Sequence, residues 1–300
     1  MTGPPPSVRA PSPATRLVVG CGYLGTRVAT RWLAAGDRVV AITRRPERAA
    51  ELARLGIEPL VADVTHPEFP ATCGLPTAAT VFWGVGFDRS AGTTHRDVHV
   101  VGLGRLLAGL PGRPRVILSS STGVWGDEDG RVVTEDTPAQ PTREAGRVLL
   151  EAEAVLRGHP QGPGVALRFA GLYGPGRLPR IADLRAGVPI AADPESWLNL
   201  IHVDDAAEVV RVVAAAPHPR PLYVVSDGRP VRRRDWYGTL AAVTGSPPPR
   251  WDETAPRLRG ADKRVDPARL FADLPVRLAH PDSLAALATL AGSAAPPPGP

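Results

Sequence analysis

Lysine is all but missing from this chain. Of its 35 basic residues only Lys263 is a lysine, and the residue four before it is Arg259, so no Tyr-x-x-x-Lys pair exists. Cysteine is nearly as scarce. Cys21 and Cys73 cannot build a disulfide framework, and their number suits a reducing, cytoplasmic setting. Long apolar runs are absent, and residues 1–15, MTGPPPSVRAPSPAT, lack the apolar stretch of a signal peptide, so no membrane association is expected. No basic cluster alternates with aromatics as a nucleic-acid groove would, so nucleic acid is not an expected partner. The net charge of +5 comes almost wholly from arginine. Beside abundant Ala, Pro and Gly, that points to a GC-rich coding bias and a solvated basic surface with at most a local anion site.

What is present is a long α/β pattern. Three hundred residues bury an ample core without disulfides or metal. The run RLVVGCGYLG, Arg16 to Gly25, reads as a buried parallel strand, a glycine turn, and the start of a helix. Gly20, Gly22 and Gly25 have GxGxxG spacing. Such a loop needs one glycine for the tight turn, one for close approach to a pyrophosphate, and one for helix–strand packing. The helix N-terminus adds unpaired N–H groups and partial positive charge. The alternative is a tight turn with incidental glycines, but the strand-before, helix-after context favours a dinucleotide cradle made of Gly20, Gly22, Tyr23, Leu24 and Gly25.

Strands are expected at Arg16–Val19, Arg38–Thr43, Ile57–Ala62, Ala79–Gly84, Arg115–Ser119 and Val165–Phe169. Helices are expected at Tyr23–Ala35, Pro46–Leu55, Thr94–Leu110 and Thr142–Arg157. Beyond them come a short strand Leu198–Ile201, a helix capped by Asp204 and running to Ala215, a strand Leu222–Val225 and a helix Arg234–Thr244. This alternation predicts a Rossmann-type doubly wound parallel sheet in 3-2-1-4-5-6 order, with Pro59 placing the third strand at an edge. The expected division is a Rossmann core over 16–170, rejoined by 198–226, and a smaller C-terminal substrate lobe over 171–197 and 227–290. Tails over 1–15 and 291–300 are expected to be disordered.

The second strand ends in Thr43, Arg44 and Arg45 where an NAD-preferring site carries an acid. Guanidinium groups suit an adenosine 2′-phosphate, so NADP(H) is expected over NAD(H), which stays possible. Asp63 is either an acceptor for the adenine amino group or a loop-start aspartate. Gly84 and Gly86 allow close backbone approach at the switch point between β1 and β4. Cys21 is either a thiol with a lowered pKa at a helix N-terminus or a small filler. His95 is either a proton carrier or a helix-start surface histidine.

The glycine loop, SSSTGVWGD (Ser119 to Asp127), LRFAGLYGPGR (Leu167 to Arg177) and NLIHVDDAA (Asn199 to Ala207) resemble the extended short-chain dehydrogenase/reductases. More narrowly, they resemble the NAD(P)-dependent epimerase/dehydratase branch. The resemblance runs from about Arg16 to Arg277. GCGYLG and WGVGFDRS (Trp83 to Ser90) are similar to an atypical subgroup. It implies that Ser121 hydrogen-bonds the substrate oxygen. It places the family's catalytic tyrosine at Arg143 and its lysine at Arg147, one turn on. The tyrosine of the family's VYG is Trp125, and the asparagine that commonly helps bind nucleotide sugars is Gly171. Arg147 can still donate to ribose hydroxyls, but Arg143 cannot act as the tyrosine does, because guanidinium keeps its proton. Tyr173 is either a substitute proton donor or a packed loop tyrosine. His202 and Asp204 read as helix-start residues, and no metal site is expected.

The expectation is therefore an NADP(H)-binding oxidoreductase with a non-standard active site, acting on a small anionic carbonyl or alcohol. Its candidate catalytic residues are Ser121, Arg143, Arg147 and Tyr173. Two alternatives stand: a non-catalytic NADP(H) sensor, and an epimerase or dehydratase. The resemblance implies a monomer or homodimer.

Overall fold

In the computed structural model, which describes residues 13–126, 129–160, 164–252 and 262–292, the chain opens with β1 (Thr15–Val19) and α1 (Tyr23–Ala34). Then come β2 (Arg38–Thr43), α2 (Pro46–Arg54), β3 (Glu58–Val61), β4 (Thr80–Trp83), α3 (Leu103–Gly109) and β5 (Arg115–Ser121). The middle of the chain forms β6 (Val132–Val133), α4 (Glu144–Gly158), β7 (Gly164–Phe169), β8 (Gly171–Tyr173) and α5 (Ile181–Arg185). The rest forms β9 (Trp197–Leu198), β10 (Leu200–His202), α6 (Val203–Ala215), β11 (Leu222–Val225), β12 (Val231–Arg232), α7 (Arg233–Thr244), β13 (Arg264–Val265), α8 (Ala268–Asp273) and α9 (Ser283–Gly292).

The main sheet has the order β11-β7-β5-β4-β1-β2-β3, with every pairing parallel. This is the expected Rossmann-type doubly wound sheet with one strand added, since β11 returns beside β7. Alternate residues of each strand serve opposite faces. On β1, Val18 joins a core with Leu24, Val28 and Trp32 of α1 and with Val209, Val210 and Val213 of α6. Leu17 and Val19 face the other way, into a core with Leu103, Leu106 and Leu107 of α3 and with Val148, Ala152 and Leu156 of α4. A third cluster gathers Tyr173, Leu184, Trp236, Leu240 and Leu287 from the later segments.

Several boundaries differ from expectation, each for a local reason. Thr15, expected in a tail, pairs with Arg38 in the sheet, and Ala14 N–H donates to Asp37 at 2.9 Å. Ala291 and Gly292 close α9, while 1–12 and 293–300 lie outside the described residues. The helix expected from Thr94 to Leu110 begins with a π-helical turn, Asp97–Gly102, before α3. Gly102 there packs so closely that a Cβ would sit 3.1 Å from the Val64 carbonyl oxygen.

α4 begins at Glu144, so Arg143 is its N-cap residue in extended conformation (φ −107°, ψ 148°) and shares no helical face with Arg147. The strand expected at Leu198–Ile201 is two strands in different small sheets. Asn199 separates them because its side chain donates to Lys263 O (2.8 Å) and accepts from Val265 N–H (2.8 Å). The cap of α6 is His202, whose Nδ1 accepts from Asp204 N–H, and not Asp204 itself. Among the described residues, no helix is long and apolar enough to cross a membrane.

Candidate functional site

A cleft of about 510 Å³ opens at the carboxyl ends of β1, β2 and β4. Its floor is the glycine loop, and the three glycines differ in what surrounds them. Gly20 has φ +86°, and a Cβ on it would lie 2.5 Å from Val85 Cα. A Cβ on Gly25 would lie 2.3 Å from the Gly20 carbonyl oxygen, so this glycine serves helix–strand packing. Gly22 has nothing within 4 Å of its Cβ position, and it lines the cleft. That free space above a helix start is what a pyrophosphate needs for close approach. α1 has no side-chain cap and no acid in its first turn, so its first N–H groups and dipole face the cleft uncompensated. The residues present therefore fit a dinucleotide phosphate bridge.

Gly20, Gly22, Tyr23, Leu24, Arg44, Arg45, Asp63, Gly84 and Gly86 all line this one cleft. Of the expected cofactor residues, Gly25 lies beneath the loop and Arg147 stands apart from the cleft. Arg44 pairs with Asp88 across the mouth, an ion pair with both side chains 41–45% exposed. Ser90 N–H and Oγ–H, then Arg44, hold the Asp88 carboxyl below the usual carboxylate range. Arg48 is spent on the loop itself, donating to Cys21 O and to Thr26 Oγ1. Asp63 accepts from Thr65 N–H and Oγ1–H through one oxygen, Oδ1. Burial pushes the Cys21 thiol up, which makes it a filler and not a low-pKa nucleophile.

The expected catalytic residues are not gathered at the cleft. Ser119 lines it, and Ser121 follows two residues on along the same face of β5. Ser121 Oγ accepts from Gly123 N–H at 3.0 Å, which leaves its own hydroxyl proton to donate. Arg143 and Arg147 are exposed, and Arg147 Nη1 donates to Thr142 O at 3.3 Å. Tyr173 is fully buried in the C-terminal cluster, edge-on to His202 and Trp236 at 5.2 Å each. Burial raises its pKa strongly, and its hydroxyl has no partner in the protein.

Beneath Ser121 lies a buried network that sequence reasoning missed. Glu153 accepts from Ser120 Oγ (2.6 Å) and from Arg168 Nε and Nη2 (3.0 and 2.8 Å). The Arg168 guanidinium also lies 4.6 Å from the Trp125 ring centroid. Sequence signals existed: a glutamate among the inward positions of α4 and an arginine inside β7. Arg177 was likewise passed over, although it ends the LYGPGR motif. It lines the cleft, and its guanidinium stands over the Tyr23 ring.

His95 packs on Phe87 (3.9 Å between ring centroids) and on His99 (5.2 Å), and desolvation lowers its pKa. His202, Asp205 and His280 cluster within 4.8 Å of one another. The geometry suits hydrogen bonding better than a metal ion. The two imidazoles stack at 3.7 Å and 25°, so their in-plane lone pairs run side by side without converging. Asp205 is already occupied by the Ala279 and His280 N–H groups.

Residues 16–225 match the NAD dependent epimerase/dehydratase family. The chain is 34% identical over 171 residues to Protein YeeZ of Escherichia coli (strain K12), a match that covers 57% of this chain and 60% of YeeZ. It is 28% identical to a functionally unknown conserved protein from Silicibacter pomeroyi DSS, with a TM-score of 0.75 over 94% of this chain and 99% of that one. MoeE5, solved in complex with UDP-glucose and NAD, shares the fold at 24% identity, with a TM-score of 0.74 over 93% of this chain and 97% of its own.

Proposed function

The chain belongs to the NAD dependent epimerase/dehydratase family, and from that premise we propose that it binds NADP(H) in preference to NAD(H) and acts as an oxidoreductase on a small anionic carbonyl or alcohol. The observation that carries the reading is the open space above Gly22 at the bare N-terminus of α1, in the same cleft as Arg44, Arg45 and Asp63. The bound dinucleotide supplies hydride transfer. This chain's own residues hold and orient it. The loop N–H groups take the pyrophosphate, Asp63 the adenine amino group, and Arg45 the 2′-phosphate together with Arg44, which must exchange Asp88 for it. Ser121 is free to donate its hydroxyl proton to a substrate oxygen. Arg143 and Arg147 keep their charge at every working pH and favour an anionic substrate or a developing oxyanion.

A second reading, a non-catalytic dinucleotide sensor, is favoured by one observation. Tyr173 is sealed in the C-terminal core, and neither histidine nor lysine lines the cleft. Nucleotide-sugar epimerisation stays weaker, because the tyrosine and lysine positions both hold arginine.

Calorimetric titration with NADPH and then NADH at matched ionic strength tests the cofactor reading. Tight NADPH binding is expected, with about tenfold weaker binding in the Arg44→Ala/Arg45→Ala variant and NADH unaffected. Equal affinity for both dinucleotides removes the 2′-phosphate argument, and no binding of either removes the whole reading. NADPH oxidation against a carbonyl panel, lost in Ser121→Ala, separates the enzyme from the sensor.

A further inference from the structure

Two buried polar atoms at the wall of the cleft are left without partners. The Tyr23 hydroxyl and His202 Nε2 are both shielded from solvent, and neither has a hydrogen-bond partner in the protein. They converge on one place. A Cβ on Gly174 would lie 2.9 Å from the Tyr23 hydroxyl and 3.0 Å from His202 Nε2. Gly174 itself has φ +148°, in the region that favours glycine.

Both side chains are otherwise held firmly. Tyr23 is the first residue of α1, and its ring carries the Arg27 guanidinium at 4.4 Å and that of Arg177 at 5.5 Å. Arg27 also donates to the Tyr23 carbonyl and to Asp204. His202 is 1% exposed, edge-on to Tyr173 and stacked on His280.

The tautomer of His202 follows from its cap. Nδ1 accepts from Asp204 N–H at 3.2 Å, so the neutral ring carries its proton on Nε2. A buried N–H left unpaired costs about 1–3 kcal/mol, and a bridging water satisfies such a group. We propose that His202 Nε2–H donates through one bound water to the Tyr23 hydroxyl, and that this link is a positioning contact holding the glycine loop against the C-terminal segments. The proposal rests on the dinucleotide reading of that loop. Gly174 is required there because a methyl group would press on both polar atoms. Tyr23 and His202 touch no reacting atom; they act through the loop backbone.

Three variants separate this link from the cap. His202→Asn keeps an acceptor for Asp204 N–H and loses the Nε2 donor. His202→Gln keeps a donor near Nε2 and loses the cap acceptor. Tyr23→Phe loses only the hydroxyl. The readout is titration of the full chain with NADP⁺ and NAD⁺, with thermal melts confirming folding. Tyr23→Phe and His202→Asn are each expected to weaken binding of the preferred dinucleotide about 3- to 10-fold. The double variant should be no weaker than the worse single one, and His202→Gln should bind within about twofold of wild type. Losses that multiply in the double variant overturn the link. So does a His202→Gln loss equal to that of His202→Asn, which would mark a purely structural role. Nitrogen-15 NMR of labelled histidines adds a readout that needs no cofactor: the Nε2–H tautomer is expected, and an Nδ1–H tautomer overturns the proposal. Should wild type bind neither dinucleotide, the proposed function fails, while the tautomer still decides the link.

Discussion

The two ends of the cleft are built from different materials. At the glycine-loop end, the backbone sets the shape: Gly20 turns, Gly25 packs, and Gly22 leaves room. At the α4 end, side chains set it. Arg143 and Arg147 stand exposed above a buried Ser120–Glu153–Arg168 network. A backbone device cannot be replaced piecemeal, since a Cβ at Gly25 would meet a carbonyl oxygen at 2.3 Å. An exposed side chain can be exchanged without moving the chain. That asymmetry explains how this protein keeps the dinucleotide loop of its family while arginine occupies the positions of the tyrosine and lysine.

The comparison is open to direct attack. The largest effect is expected at the buried end of the α4 network. Glu153→Ala strands the Arg168 guanidinium, whose side chain is 5% exposed, and should cost about 3–5 kcal/mol in urea unfolding. At the loop end, Gly22→Ala should leave the melting temperature unchanged while weakening dinucleotide binding about 100-fold, or about 2.7 kcal/mol. Gly25→Ala should lose both stability and binding, so equal behaviour of the two variants would contradict their separate roles.

A smaller handle lies away from both ends, at Asp227 after β11. Burial, reinforced by Asp282, pushes its carboxyl up to about 7. Between about pH 4 and 7 the folded chain keeps a proton that the unfolded chain has released. The contribution of this group to stability therefore falls as pH rises through that window and levels off above it. Asp227→Asn should flatten the fall and stabilise the protein at pH 8 by about 1–3 kcal/mol, with little change at pH 4. The smallest effect is expected for Arg147→Ala. Stability should stay within about 0.5 kcal/mol of wild type, because the side chain is exposed and makes one long hydrogen bond.

Much of this was legible in the residues. Periodicity placed the sheet strands to within two residues at either end, because buried parallel strands are continuous apolar runs bounded by turn signals. The loop was legible because glycine has few other reasons to recur at that spacing. The α4 end was read less well. Arg143 was assigned to a helix that starts one residue later, and Tyr173 offered no sign that it is sealed inside a core of its own. Pairings across long stretches of sequence were out of reach. Nothing near Arg44 announces Asp88, nothing near His202 announces His280, and Glu153 finds Arg168 only once α4 lies on the sheet. Local pattern reports which face a residue takes; it does not report what stands opposite.

The lone lysine gives the molecule a reporter of its own opening. Lys263 is 4% exposed, and its ammonium group donates to the carbonyl oxygens of Trp125 and Gly126, while Asn199 grips its carbonyl oxygen. A lysine-specific endoprotease thus has one place to cut in the whole sequence, and that place is closed in the folded state. Each cleavage event would count one release of the segment carrying β13 from the loop that follows Ser121, so a protease clock could time the loosening of the α4 end without any label.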